Sequence, residues 1–215
     1  MNSSLPRRFR WCLTGLALLA LVGCQRAVFE HRGEPLGCDP EIVGRWEMVE
    51  KPDQNDDAVR NAPDRLLIEV DAVCTLRGQL TEDGTARDLG ETAVSTSKHG
   101  SRHFVWIDQA WANRAFEVPV DEGEQAPDAS SGWYAYAYSA RRDRWRLQPI
   151  DIEALAADVV RDRWKGDVVK LDSSLWVRIK EPPDGLDPLM RKIDIDGDRD
   201  SRLELMRAAP GPERD

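Results

Sequence analysis

"GWYAYAYSARRDRWRLQPID" (Gly132–Asp151) is the stretch that decides the fold. Trp133, Ala135 and Ala137 alternate with Tyr134, Tyr136 and Tyr138. After a polar turn, Trp145, Leu147 and Pro149 alternate with Arg144, Arg146 and Gln148. Successive side chains of a strand point to opposite faces, so a period of two on both sides of a turn predicts a β-hairpin. The same alternation puts the three tyrosines on one face. A tyrosine joins an apolar ring to a polar tip, which suits a pocket lining as well as ordinary sheet packing.

Working outward, the same period recurs. In "CDPEIVGRWEMVE", Ile42, Gly44, Trp46 and Met48 share a face. "RLLIEVDAVCTL" reads as one strand with Leu66, Ile68 and Val70 on one side. Asp83-Gly84 is a hairpin turn signal. "ETAVSTS", the turn "KHGS" and "RHFVWIDQAW" read as another strand pair. The polar stretches 51–64 and 121–131 read as loops. Downstream of the hairpin, Asp151 is placed to cap a helix whose stripe is Ile152, Leu155, Ala156, Val159, Val160 and Trp164, with Gly166 to stop it. Strands near 168–171 and 175–179 follow. "LDPLMRK" suits a short helix with Asp187 as cap and Pro188 in its first turn. "RLELMR" closes the sheet. Many strands at hairpin spacing and one amphipathic helix predict a mainly β single domain, an antiparallel sheet curled into a barrel, over residues 38–207. Residues 208–215 read as a flexible tail.

The amino terminus carries a different kind of signal. Arg7, Arg8 and Arg10 precede an apolar run from Trp11 to Gly23, too short for the ~20 residues of a membrane-spanning helix. That layout is a secretory signal peptide over 1–23. Leu21-Val22-Gly23-Cys24 resembles the lipobox of bacterial lipoproteins. The resemblance implies cleavage before Cys24, a diacylglycerol thioether on its sulfur and acylation (palmitate among the chains) of the new amino group. Several acyl chains give the stable anchoring that one cannot. Gln25, rather than Asp, follows the cysteine, which by the same resemblance points to the periplasmic face of the outer membrane. Residues 24–37 are polar and without periodicity, so they read as a tether between lipid and domain.

Loss of the leader leaves 27 basic against 39 acidic residues, a formal charge of −12. Such a surface argues against a nucleic-acid partner and favours solubility. Cys12 leaves with the leader and Cys24 carries lipid, so Cys38 and Cys74 remain to pair in an oxidising envelope. Two separate buried thiols are the alternative.

Gly44-Arg45-Trp46 resembles the G-x-W opening of lipocalin-like (calycin) barrels. The resemblance implies that Trp46 seals one barrel end and that an arginine from a late strand packs across its ring, with Arg207 and Arg178 as candidates. The order of elements is also similar to a lipocalin-like group of bacterial envelope lipoproteins. These have a late "Y-x-Y … L-x-P-[LI]-D" hairpin, here Tyr136, Tyr138, Leu147, Pro149, Ile150 and Asp151. In a typical lipocalin the long helix follows the eighth strand, whereas here it precedes two or three further strands.

The candidate chemistry is sparse. Asp194, Asp196, Asp198 and Asp200 alternate as calcium ligands do. However, an EF-hand needs Gly at position 6 and Glu at position 12. Those places hold Arg199 and Leu205, or Ser201 and Arg207 in the other register. An acidic solvated turn is the competing reading. His99 and His103 are close in sequence, but His31 is the only other mature histidine, too few for a zinc site. There is no G-x-S-x-G elbow and no phosphate-cradling glycine loop. The expectation is therefore a non-enzymatic, cofactor-free envelope lipoprotein held to the membrane through Cys24. It binds a small apolar or amphipathic ligand, with Tyr134, Tyr136 and Tyr138 as the candidate surface. The alternative is an interaction, scaffold or inhibitor module that meets an envelope protein through its acidic surface.

Overall fold

The computed structural model describes residues 25–49, 65–82, 84–115, 132–170, 175–196 and 202–209. Its strands are β1 (Gln25–Phe29), β2 (Gly44–Val49), β3 (Arg65–Val70), β4 (Thr75–Glu82), β5 (Thr85–His99), β6 (Arg102–Asp108), β7 (Trp133–Arg141), β8 (Arg144–Gln148), β9 (Gly166–Lys170), β10 (Leu175–Ile179) and β11 (Leu203–Arg207). Three helices accompany them among the described residues: α1 (Gln109–Ala115), α2 (Ile152–Val160) and α3 (Pro183–Lys192).

The Gly132–Asp151 hairpin, β7–β8, is one wall of a closed barrel. Eight strands follow one another round the ring, β2-β3-β4-β5-β6-β7-β8-β11, every pair antiparallel. The last strand closes it: β11 pairs with β8 through Leu203↔Leu147 and with β2 through Arg207↔Trp46. Closure leaves no unpaired edge within the ring, which is the physical gain of a barrel over an open sheet. This is the architecture that the lipocalin-like resemblance implies.

The chain leaves the barrel between β8 and β11, and that excursion explains the displaced helix. It contributes α2, the β9–β10 hairpin and α3. β1 pairs parallel with β10 from Gln25↔Leu175 to Phe29↔Ile179 and touches β7 at Phe29↔Trp133. β1, β10 and β9 thus form a three-stranded side sheet attached to the barrel wall. The result is two apolar cores. One fills the barrel with Trp46, Trp145, Trp111, Leu66, Leu205 and the three tyrosines, among others. The other lies outside the β6–β7 wall, where Phe104, Trp106, Ala135 and Ala137 meet Phe29, α2 and α3. The β6–β7 wall is therefore buried on both faces. Alanine stands at 135 and 137 where this second layer packs over the wall.

Several sequence expectations change at this level. The tether expected over 24–37 is instead a docked segment in its described part, 25–37. Ala27, Val28 and Phe29 are buried, Leu36 donates its N–H to the Thr96 carbonyl, and Thr96 Oγ1 donates to the Gly37 carbonyl. A five-residue strand is too short for periodicity to reveal. The strand expected over 65–76 is broken at Asp71, whose carboxylate accepts from the N–H groups of Val73 and Thr75. Those bonds, that of Thr75 foremost, hold the Asp71 carboxyl below its ordinary pKa. They turn the chain through Cys74, which sits at φ +63°. The strand expected to run to Trp111 becomes α1 at Gln109 because Asp108 Oδ1 accepts the Trp111 N–H at 2.7 Å and so caps a helix.

Asp151 caps α2 as expected, accepting from the Ala154 N–H at 2.9 Å. The helix ends at Val160, well before Gly166, and Val160 is exposed while the rest of the stripe from Ile152 to Val159 is buried. Asp187 does not cap α3: the helix begins at Pro183, one turn earlier, with Pro182 at the N-cap. β4 and β5 pair up to Glu82↔Thr85 with Gly84 at φ +77° between them, while Asp83 of the expected turn lies outside the described residues.

Candidate functional site

One end of the barrel is built around Trp46. Its indole N–H donates to the Ile42 carbonyl at 2.7 Å, its ring lies 5.7 Å from that of Trp145, and the Arg207 guanidinium sits 4.3 Å from its centroid. Arg207 is held there by donating to the carbonyls of Arg142 (2.6 Å) and Val43 (3.2 Å). Gly44 is explained by the same contact. Its φ of +133° favours glycine, and a Cβ there would collide with that guanidinium. Arg178, the other candidate, lies in the side sheet and pairs with Glu30 at 2.8 Å. Cys38 and Cys74 are joined in a disulfide with their Cα atoms 5.2 Å apart, tying the segment ahead of β2 to the β3–β4 turn.

The three tyrosines all point into the barrel and are buried, while Ala135 and Ala137 face the outer core. Tyr138, at the Trp46 end, donates to Asp39 Oδ2 at 2.6 Å and meets the His103 ring edge-on at 5.7 Å. It also lines a surface cleft of ≈ 400 Å³ together with Arg102, His103, Asp196 and Arg202. Tyr134, at the opposite end, donates to Asn113 Oδ1 of α1 at 2.9 Å. Burial pushes all three hydroxyls above their ordinary pKa, and the Asp39 carboxylate adds to the effect at Tyr138. At Tyr134 the charge of the buried Arg26 partly offsets it. Arg26 comes from β1 and lies 4.7 Å over the Trp176 ring.

The α1 end holds a residue that nothing in the sequence marks. Gln109 is 0 % exposed, and neither its Nε2 nor its Oε1 makes a hydrogen bond of good geometry among the described residues, although the amide faces the Tyr134 hydroxyl. Its backbone N–H is bonded to the Gly132 carbonyl at 3.0 Å. A Cβ at Gly132 would come within 2.8 Å of Gln109 Oε1 and 2.5 Å of Val28, so the glycine that opens the YAYAY strand is needed for close approach. The buried Trp145 indole N–H, beside Trp46 at the other end, likewise has no hydrogen-bond partner among the described residues. Leaving a buried polar group unpaired costs about 1–3 kcal/mol, so native structures keep few of them.

His99 and His103 occupy separate environments. His99 is buried outside the barrel: Nδ1 lies 2.9 Å from Asp187 Oδ1 of α3, and Nε2 lies 3.1 Å from Ser97 Oγ. The Trp106 indole donates to that same Ser97 oxygen at 2.7 Å. Ser97 Oγ thus lies between the Trp106 indole and His99 Nε2, and the other ring nitrogen of His99 faces Asp187. The Arg191 guanidinium and His99 together hold the Asp187 carboxyl below its ordinary pKa. This Ser–His–Asp order has the connectivity of a hydrolytic triad. Ser97 is 1 % exposed and lies under Gly33, so the relay ties the barrel, α3 and the 30–37 segment together.

His103 Nδ1 lies 3.8 Å from Asp39, and no group of three metal-binding side chains occurs among the described residues. Of the acidic quartet, Asp194 and Asp196 flank a bridge between Ile150 and Ile195, with the Asp151 N–H bonded to the Asp194 carbonyl. Asp198 and Asp200 lie outside the described residues, as does Cys24. No helix among the described residues is long and apolar enough to cross a membrane.

No protein-family model matches the chain, and neither a curated protein nor a solved structure matches it.

Proposed function

We propose that this chain is a lipid-anchored envelope protein of the lipocalin-like lipoprotein group, and that its barrel binds a small amphipathic ligand without catalysis. The lipobox at Leu21–Cys24 supports the anchor, and Gln25 after the cysteine supports the periplasmic face of the outer membrane. The observation that carries the binding reading is the Gln109 amide. It is wholly buried at one end of a tyrosine-lined barrel, beside the Tyr134 hydroxyl, and neither of its polar atoms makes a hydrogen bond of good geometry among the described residues. A ligand with a carboxyl, hydroxyl or amide head would pair with it and with the Tyr134 hydroxyl, while its apolar part lies against aromatic rings. No cofactor is invoked, and the acidic balance of the mature chain speaks against nucleic acid.

The test is a native mass spectrum of the protein purified from envelope extract, beside Gln109→Leu. The leucine has similar volume and no polar atoms. A retained small mass that is lost in Gln109→Leu, whose ligand-free form is no less stable than wild type, is the expected result. A ligand-free mass in the wild type with a stoichiometric envelope protein attached would overturn it in favour of interaction through the acidic surface.

A further inference from the structure

The lipid anchor, if it sits on Cys24, has no slack. β1 begins at Gln25, one peptide unit away, and consecutive Cα atoms are about 3.8 Å apart. The strand is not free to peel away. It pairs with β10 over its whole length, Arg26 lies 4.7 Å over Trp176, and Phe29 is fully buried with its ring 5.4 Å from Trp106. An extended tether over 25–37 would have given about 45 Å of reach. The headgroup layer that holds the glycerol of an acylated cysteine is only about 5–8 Å thick on each side of a bilayer. A strand starting one residue from that glycerol must itself start in the headgroup layer.

We propose that β1 is a rigid mount. The corner of the side sheet where Gln25, Leu175 and Lys170 lie side by side rests on the bilayer, so the domain is held against the membrane in one orientation. The partner is a phospholipid surface. Lys170 is exposed at this corner and faces lipid phosphates, and Trp176 is the kind of half-buried aromatic favoured at such an interface. This inference rests on the acylation reading and adds to it a fixed geometry that acylation alone does not imply.

The experiment uses the full acylated protein in phosphatidylcholine vesicles containing phosphatidylglycerol and headgroup-proximal doxyl lipids. An environment-sensitive dye is placed on Lys170→Cys or on Lys180→Cys. Lys180 directly follows the far end of β10, about 17 Å from Leu175 at strand rise. Quenching at 170 should exceed that at 180 by roughly twofold or more. A Gly/Ser linker inserted between Cys24 and Gln25 should abolish the difference while leaving the protein on the vesicles. Equal quenching at the two positions, in protein whose intact mass shows the acyl groups, overturns the fixed orientation alone. An unmodified Cys24 in that mass overturns the anchor reading, and this inference with it.

Discussion

Replacing Phe29 with Ala tests whether the segment after Cys24 belongs to the fold. If residues 24–37 were a tether, the substitution would cost nothing measurable. In the structure Phe29 is 0 % exposed and its ring meets Trp106 edge-on at 5.4 Å and 86°. Deleting a buried phenylalanine costs about 3–5 kcal/mol, which includes the lost transfer energy and the cavity left behind. The edge-to-face contact accounts for about 0.5–1.5 kcal/mol of that. We expect a loss near 4 kcal/mol, about a third or more of the stability of an ordinary domain. The assay is urea unfolding of the Cys24→Ser chain, followed by tryptophan fluorescence and by circular dichroism. With a slope of about 2 kcal/mol per M, the midpoint should fall by about 2 M. Leu36→Ala is the control. Leu36 is 66 % exposed, so its loss should stay within about 0.5 kcal/mol. A loss below about 1 kcal/mol for Phe29→Ala, with the control unchanged, would refute the docking of β1 and the rigid mount built on it.

The chain has three tyrosines, and all of them lie in the barrel with hydroxyls pushed up chiefly by burial. A raised folded-state pKa contributes stability that is fully present below the unfolded value of about 10 and is lost as pH climbs through the folded values. The near-ultraviolet tyrosinate signal should therefore stay flat through pH ~10 and rise only as the protein unfolds; a reversible titration at about pH 10 in folded protein would contradict the inward placement. Breaking the Cys38–Cys74 bridge with serines releases a loop closed over a sequence separation of 36 and should cost about 3–4 kcal/mol, measured by urea unfolding with and without reductant. An unchanged midpoint would count against the bridge. Gly33→Ala would put a Cβ 2.7 Å from His99 Nε2 and 3.1 Å from Ser97 Oγ, both held by other bonds, and should cost about 1–3 kcal/mol. A double-mutant cycle with His99→Ala should show coupling; strict additivity would mean that the 30–37 segment does not press on the relay.

Much of this was legible because it follows from local rules. Alternation marked β7 and β8, Asp83-Gly84 marked a hairpin turn, and Asp151 marked a helix start. The shared face of the three tyrosines needed only the period of two. Which face looks inward was not legible, because small alanines can line a narrow barrel as readily as they can lie beneath helices. Asp71 and Asp108 were missed as turn and cap because each sits in an alternating run whose period argues for continued strand. Asp187 was misread as a cap because its hydrogen bond to His99 joins residues 88 apart.

Local sequence patterns were enough for the strands and their turns, for an antiparallel β domain and for the excess of acidic residues, and the lipobox-like Leu21–Cys24 stretch is the ground of the proposed anchor. Those properties reside in consecutive residues, where period, turn chemistry and composition act over short spans. Only the tertiary structure decided which strands close the ring, that the excursion between β8 and β11 forms a second core, and that β1 is docked against β10. It also decided that Gln109 is buried with neither amide atom in a hydrogen bond of good geometry among the described residues. These depend on which surfaces meet across long stretches of chain. A five-residue strand or one glutamine carries no local pattern that names its distant neighbours.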